Sequence, residues 1–238
     1  DVILMIKADY LLPKTIESIR PKCSKFISFF NDNYKRAKNI KHIYPYFDRV
    51  FSFENDDVKA FGFEFITNFI YRELPLKNKK LNNALFNVSS YDLERLKIIE
   101  SIAHQLDLID ENYAIFSIGK KAKAYQYNTN INYTTKKLNL VEIEKQVEDT
   151  VALLDVHRDN QNGLTFRVFE SLGYKKKLIT TNSDIVNYDF YNRNNILVVD
   201  KNNLEIPKAF FETPYEPVPE EIYNKYTLSH WCKTVIEA

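Results

Sequence analysis

The stretch from His157 to Glu170 holds residues whose types and spacing suit a phosphate-bearing ligand. It reads His-Arg-Asp-Asn-Gln-Asn-Gly-Leu-Thr-Phe-Arg-Val-Phe-Glu and follows an apolar strand predicted near 151–156. Arg158 and Gly163 lie in the predicted loop before a helix that begins near Leu164. A helix start presents free backbone N–H groups, and an arginine can bind two phosphate oxygens at once. The loop therefore predicts a diphosphate-binding position.

Two charged residues lie on one face of the helix that follows. Arg167 and Glu170 are three residues apart, and the apolar residues between and beyond them predict a packed opposite face. A carboxylate one to two turns into such a helix can accept two hydrogen bonds, as the paired hydroxyls of a ribose would require. Glu170 is therefore the candidate ribose ligand, with Arg167 beside it. An ordinary surface ion pair is the alternative for both residues.

Basic and hydroxyl side chains follow two other predicted strands. Lys120, Lys121 and Lys123 come after a strand near 113–118, and Ser89-Ser90 come after a strand near 84–88. Ligands of open α/β sheets bind beyond the carboxyl ends of the strands, so these residues are further phosphate-binding candidates. The alternatives are a solvated charge run for the lysines and helix capping for the serines.

The elements that position these residues alternate between strand and helix, which predicts an α/β fold made of two doubly wound, Rossmann-like sheets. Predicted strands lie near 2–6, 25–29, 49–53, 65–70, 84–88, 113–118, 131–134, 151–156, 177–180 and 195–199. A polar, lysine-rich stretch at 74–83 indicates a linker. We therefore predict an N-terminal domain over 1–75, a ligand-binding domain over 76–218, and closing helices over 219–238 that pack back on the first domain.

The segment Gly163 to Asn182 resembles the donor-binding motif of GT-B glycosyltransferases. Its Arg-x-Phe-Glu helix and the Lys/Leu/Ile/Thr strand after it are closest to a bacterial branch that includes CgeB-like enzymes and enzymes of capsule or lipopolysaccharide biosynthesis. The order of elements from 84 to 200 is similar too. The resemblance implies two Rossmann-like domains with a cleft between them, a nucleotide-sugar donor, and a glycan or glycolipid acceptor of the bacterial surface, as in exopolysaccharide synthesis.

The resemblance also assigns roles to individual residues. It implies that Glu170 contacts the nucleotide ribose and that the preceding Asn162, Gly163, Leu164 and Thr165 line the donor site. Many retaining members carry two glutamates eight residues apart, and Asn162 stands here in place of the first. An amide can bind a sugar hydroxyl but carries no charge, so both retaining and inverting mechanisms stay open.

An inverting mechanism needs a general base near the acceptor hydroxyl. Asp9 and Asp32 follow predicted strands of the first domain and are the candidates, with capping of a helix or turn as the alternative for each. The chain opens on an apolar strand without an initiator methionine, so we expect further residues upstream, and the base could also lie there.

Composition narrows the choice of ligands and partners. Lys and Arg number 33 and Asp and Glu 32, for a net charge of +1, so no overall field favours nucleic acid. Cys23 and Cys232 lack metal-type spacing, the four histidines are scattered, and the sequence has no Asp-x-Asp triplet. We expect no essential metal and no cofactor beyond the nucleotide-diphosphate sugar itself.

No apolar run approaches the roughly 20 residues needed to cross a bilayer. The expected location is the cytoplasm. Peripheral association with the cytoplasmic face of the inner membrane is compatible with this expectation. Two alternatives to glycosyl transfer stay open on the sequence: a nucleotide-sugar epimerase on the same scaffold, and a non-catalytic module that binds a nucleotide sugar.

Overall fold

The computed structural model describes residues 1–75, 80–121, 129–158 and 161–237. The chain forms two compact units. The first contains 1–69, 159–164 and 223–238, and the second contains 70–158 and 165–222. Each unit holds one sheet whose strands pair in parallel, which confirms the α/β class. The domain boundaries drawn from the sequence stay predictions.

The helices and strands alternate along most of the chain. The strands of the described residues are β1 (Val2–Ile6), β2 (Lys25–Phe30), β3 (Arg49–Ser52), β4 (Glu64–Phe65), β5 (Asn83–Ser90), β6 (Tyr113–Ile118), β7 (Asn132–Thr134), β8 (Thr150–Asp155), β9 (Lys177–Thr180) and β10 (Ile196–Val198). The helices there are α1 (Pro13–Ile19), α2 (Ile40–Ile43), α3 (Asn55–Phe61), α4 (Leu93–Leu108), α5 (Leu140–Glu148), α6 (Phe166–Gly173), α7 (Ala209–Glu212), α8 (Glu220–Lys225) and α9 (Leu228–Glu237).

The first unit is built on the sheet β1-β2-β3-β4. β2 is buried along nearly its whole length, as expected of a central parallel strand covered on both faces. The closing helix α9 covers part of one face, where Trp231 packs edge-on against Phe29 with 5.1 Å between ring centroids. Gly62 ends α3 in the left-handed region at φ 70°, a conformation that favours glycine.

The strand predicted at 65–70 is wrong beyond its first residue, because β4 ends at Phe65. The following residues bind partners outside the ladder. The Thr67 carbonyl accepts from Trp231 Nε1 at 3.0 Å, and Asn68 Nδ2 donates to the Leu164 carbonyl at 2.8 Å. Contacts far along the chain therefore override the local β-propensity of this segment.

The second unit has a six-stranded sheet in the order β7-β6-β5-β8-β9-β10. β5 is central, and the chain continues to β6 and β7 on one side and to β8, β9 and β10 on the other. This is the doubly wound order in which the direction of winding reverses between the first and fourth strands, here β5 and β8. The core beneath these strands is apolar, with Leu85, Ile115, Leu154 and Ile179 fully buried in one cluster that also contains residues of α4.

Polar side chains cap the starts of several helices of this unit, Asp92 among them at α4. Asn139 and Glu142 form a capping box at the start of α5, and Thr165 caps α6 by accepting from the Arg167 N–H at 3.1 Å. Across the described residues, no helix combines the length and apolar content that a bilayer crossing demands.

Candidate functional site

The carboxyl ends of β5 and β8 lie side by side at the point where the winding of the second unit reverses. β5 leads into the start of α4, with Asp92 as its N-cap residue, and β8 leads into His157 and Arg158. Ligands of doubly wound sheets bind outside this point, because the two connections diverge and leave a crevice. Most of the sequence-predicted binding residues of the second unit belong to this edge.

Arg158 reaches across from the end of β8 to the start of α4. Its Nη2 lies 3.6 Å from Asp92 Oδ2, and both side chains are about a third exposed. Asp92 also caps α4, since its Oδ1 accepts from the Arg95 N–H at 3.2 Å. The Arg158 Nε has no hydrogen-bond partner among the described residues. A guanidinium has five N–H donors, so this ion pair leaves donors for an anionic ligand.

Arg167 and Glu170 form an ion pair on α6, with 2.7 Å between Nη1 and Oε2 and only 16% of each side chain exposed. The other Arg167 nitrogen, Nη2, donates to the Val88 carbonyl of β5 at 3.4 Å. The guanidinium also lies 6.0 Å from the centre of the Phe86 ring. Arg167 is therefore held against β5 by two contacts that an ordinary surface ion pair lacks.

Tyr71 is the second partner of Glu170, and its hydroxyl donates to Oε1. Burial, together with the neighbouring carboxylate, raises the pKa of Tyr71 above its usual value, so the hydroxyl keeps its proton and remains a donor. The Tyr71 ring packs edge-on against Phe166 with 5.9 Å between centroids. The sequence analysis missed Tyr71, because it lies 99 residues before Glu170 in a segment predicted to end a strand.

Asp155 holds the beginning of α6 in place. It is the last residue of β8 and is 5% exposed. One carboxylate oxygen accepts from the Thr165 hydroxyl at 2.8 Å and the other from the Thr180 hydroxyl at 3.0 Å. Thr165 is thus occupied as a cap and as a donor to Asp155. The sequence signal that could have identified Asp155 was an acidic residue at the end of an otherwise apolar strand.

His157 is tied to the residue that follows β9. Its backbone N–H donates to the Thr181 hydroxyl at 3.0 Å, and its ring Nδ1 lies 2.9 Å from the same oxygen. This contact anchors the segment that carries Arg158. The geometry gives His157 a structural role at this edge.

The alternative interpretation, that Ser89 and Ser90 cap the next helix, is wrong. Both belong to β5, where they pair with Ser117 and Ile118 of β6, and Asp92 caps α4 instead. The strand runs longer than predicted because its parallel partner extends as far. Ser89 is half-buried and Ser90 exposed at the carboxyl end of β5. Their proposed contact with phosphate stays a prediction.

Lys120 and Lys121 are exposed in the turn after β6. Gly119, just before them, lets this turn approach the end of β5, since a Cβ there would lie 2.8 Å from the Cβ of Tyr91. The two lysines therefore belong to the same carboxyl edge as Ser90. Lys123 lies outside the described residues.

Asn162, Gly163 and Leu164 belong to the first unit. The N–H groups of Asn162 and Gly163 donate to Glu54 Oε2 at 2.9 and 3.2 Å, so a carboxylate of the chain holds the donors that the sequence analysis assigned to a diphosphate. A side chain at Gly163 would overlap the Phe53 carbonyl and lie 2.9 Å from Cε2 of its ring. Only glycine fits this contact.

Glu54 is a second carboxylate that the sequence analysis missed. It follows β3 and is 1% exposed, and its Oε1 has no hydrogen-bond partner among the described residues. Burial raises the pKa of Glu54, while the two backbone N–H groups oppose the shift. Nearby Asp57 accepts from the Tyr34 N–H at 3.1 Å, and burial raises its pKa to about 6. The available signal was an acidic residue at the carboxyl end of a buried strand.

The two candidate bases lie near the ends of β1 and β2. Asp9 is in a short 3-10 helix over Ala8–Tyr10, and Asp32 lies 3.6 Å from Lys7 Nζ and 3.3 Å from Arg36 Nη1. Their catalytic role stays a prediction. Within the described ranges, no group of three or more His, Cys, Asp or Glu residues is placed to hold a metal ion.

Comparison with known proteins finds similarity of structure alone. No protein-family model and no curated protein sequence matches this chain. Similar solved structures include the apo form of the lipopolysaccharide outer core galactosyltransferase WaaB, a GtfA/B complex and the glycotransferase of kitacinnamycin. Their TM-scores are 0.54, 0.52 and 0.52, and each is 10% identical to this chain.

All of this chain is covered in each of the three comparisons. It spans 75% of the WaaB chain, 57% of the GtfA/B chain and 75% of the kitacinnamycin glycotransferase chain. These structures are GT-B glycosyltransferases. The chain therefore has the α/β fold with two Rossmann-like domains that the sequence resemblance implied.

Proposed function

We propose that this chain is a glycosyltransferase whose second unit binds a nucleotide-diphosphate sugar. One observation carries the proposal. Two arginines from the segment after β8, Arg158 and Arg167, reach the β5 side of the switch point, and Glu170 lies beside the second of them. In this proposal the arginines bind the diphosphate and Glu170 binds the ribose, at the edge where such sheets bind nucleotides.

Glu170 keeps the capacity to bind ribose while held by two partners. An ionised carboxylate has about four lone-pair positions, and Tyr71 and Arg167 use two of them. The remaining two suit the paired ribose hydroxyls. Because both partners fix the carboxylate in one orientation, little side-chain entropy is lost when a ligand binds.

The basic residues neutralise the leaving diphosphate in this proposal. Arg158, with donors left over from its pair with Asp92, binds phosphate oxygens, and Lys120 and Lys121 add charge at the end of β6. Positive charge placed where the leaving group develops negative charge lowers the barrier to transfer. The proposal assigns no essential metal, so turnover should persist in the presence of a chelator.

Asp9 and Asp32 are the proposed bases of the first unit. A base must remove a proton from the attacking hydroxyl, which typically contributes about 100-fold to 10,000-fold in rate. We expect the true base, changed to asparagine, to lower kcat by at least about 100-fold with donor affinity unchanged. If neither Asp9→Asn nor Asp32→Asn has this effect, the assignment fails.

The proposed acceptor is a glycan or glycolipid of the bacterial cell surface. The sequence resemblance to the CgeB-like and capsule or lipopolysaccharide branch supports this choice, and one structural neighbour is a lipopolysaccharide galactosyltransferase. Such acceptors are made at the cytoplasmic face of the inner membrane, where we place the chain. This assignment rests on likeness and is tested by supplying acceptors.

Calorimetry with UDP-, GDP-, ADP- and dTDP-linked sugars tests donor binding. We expect one nucleotide class to bind, and Glu170→Ala to weaken that binding about 100-fold. Glu94→Ala is the matched control, because the Glu94 side chain lies on α4 with 74% of its surface exposed. Equal affinity of the Glu170 variant and the wild type would refute the site.

Turnover then separates the three functions. Release of nucleotide with sugar transferred to an added acceptor supports the proposal. Conversion of the donor to an epimer without acceptor would identify an epimerase instead, and tight binding with no turnover would identify a binding module.

A further inference from the structure

We propose that the second unit has another ligand site, at the amino ends of β8 and β9, which binds a small anion carrying an aromatic ring. The site is a cavity of about 340 Å³, at the low end of the range of small-molecule pockets. Val151, the second residue of β8, and Lys177, the first residue of β9, line it, and Lys177 pairs in register with Ala152. It therefore lies at the edge of the sheet opposite the proposed nucleotide site.

The cavity has flat apolar walls. Tyr174, Phe211 and Tyr215 line it together with Leu74 and Leu81. Burial raises the pKa of Tyr215 to about 12, so its hydroxyl stays neutral. Aromatic walls favour a planar ligand, since rings pack in offset or edge-on contact.

A buried positive charge faces this apolar space. Lys177 is 1% exposed, and its Nζ donates to the Phe210 carbonyl at 2.8 Å and to the Thr213 hydroxyl at 2.5 Å. It also lies 4.8 Å from the centre of the Phe210 ring. Among the described residues no carboxylate forms an ion pair with Lys177. A buried charge without an ion pair is costly: burial lowers the pKa of Lys177, although Glu216 opposes that shift. An anion in the cavity would offset the cost.

The neighbouring charges define the polarity of the site. Lys175 and Lys176 also line the cavity, against two acids, Glu148 and Glu212. Lys176 Nζ donates to the Thr150 carbonyl at 2.6 Å and to the Glu148 carbonyl at 3.5 Å, so it is committed to the end of α5. Lys177 is therefore the residue that selects an anion, and the acids disfavour a highly charged one.

Benzoate and its neutral isostere benzamide test this inference without any nucleotide. In ligand-observed NMR and calorimetry, benzoate should bind at least ten-fold more tightly than benzamide, and backbone amides of Tyr174, Lys177 and Thr213 should shift. Phenyl phosphate shows which anionic group the site prefers. Tighter binding than benzoate indicates a phosphate monoester, and weaker binding indicates a carboxylate. Equal binding of benzoate and benzamide, or no binding of any probe, would overturn the proposal.

Lys177→Met should lower benzoate affinity at least ten-fold and leave benzamide unaffected. Lys208→Met is the matched control. Lys208 lies just before α7, is about half exposed and pairs with Glu111 at 3.4 Å. If Lys177→Met fails to fold, the wild-type comparison of the two isosteres still decides. Unchanged benzoate binding by a folded Lys177→Met would also overturn the proposal.

Discussion

Two glutamates, one in each unit, are held in opposite ways. Glu170 is partly exposed and is fixed by two side chains, Tyr71 and Arg167. Glu54 is buried and accepts from the backbone of Asn162 and Gly163, with its other oxygen unpartnered among the described residues. The first arrangement orients a carboxylate toward a ligand, whereas the second fastens a loop.

The comparison shows that a carboxylate near a predicted binding loop has more than one use. Side-chain partners leave the α6 carboxylate accessible, and its charge is balanced by an arginine. Burial raises the pKa of the Glu54 carboxylate, and its two backbone N–H partners oppose that shift. Substitution should therefore cost binding at Glu170 and folding stability at Glu54.

The largest effect is expected from Glu170→Ala. It removes two charge-assisted hydrogen bonds to ribose, each contributing about 1.5 kcal/mol, so donor affinity should fall about 100-fold. Unfolding in urea should change less than donor binding, because Arg167 keeps the Val88 carbonyl as a partner and Tyr71 is 42% exposed. Calorimetry and urea titration measure the two quantities. A large loss of stability with normal affinity would make Glu170 structural.

Glu54→Ala should show the reverse pattern. It leaves two N–H groups without an acceptor, so the free energy of unfolding should fall by about 2 kcal/mol. Glu54→Gln keeps an acceptor oxygen and should cost less. Glu17→Ala, on exposed α1, is the control for loss of a glutamate from the same unit. Stability equal to the control would show that Glu54 does not hold the loop.

Tyr71→Phe should have a smaller effect on binding. It removes the donor to Glu170 Oε1 and keeps the ring against Phe166. The lost hydrogen bond, which orients Glu170, contributes about 1 kcal/mol, so donor binding should be about five-fold weaker. Calorimetry with the same donor measures it. An effect as large as that of Glu170→Ala would mean that Tyr71 contacts the ligand itself.

Asp57, in the same unit as Glu54, should make the free energy of unfolding depend on pH. Its folded pKa of about 6 exceeds the ordinary value of 3.8, so the folded state binds more protons between pH 4 and pH 6. The free energy of unfolding contributed by Asp57 should therefore fall as the pH rises through this window. Asp57→Asn should flatten the decline, as measured by urea titration at several pH values. An unchanged slope would contradict the raised pKa.

The sequence predicted the regular parts of the fold because these depend on local pattern. Apolar runs located β2, β8 and β9, and helical spacing located α4 and α6. The errors fall where distant contacts decide the structure. Thr67 and Asn68 end a strand early because they bind Trp231 and Leu164, and the longer pairing of β5 with β6 displaced the predicted cap.

Only the part of the candidate site that lies on helix α6 could be predicted from the sequence. The spacing of Arg167 and Glu170 indicated their pairing, which the structure shows at 2.7 Å. The partners that orient them, Tyr71 and Asp155, come from other segments and leave no local periodic signal. The hold of Glu54 on the loop half was not predictable for the same reason, since Glu54 lies 108 residues before Asn162.

Mapping of nucleotide binding by amide chemical shifts tests the central claim most directly. The chain is titrated with the nucleotide sugar that binds in calorimetry, and the perturbed residues are located. We predict shifts at Asp92, Arg158, Arg167 and Glu170, with Lys177 and Thr213 at the opposite edge unmoved. Saturable shifts confined to residues away from the carboxyl ends of β5 and β8 would contradict the proposed site.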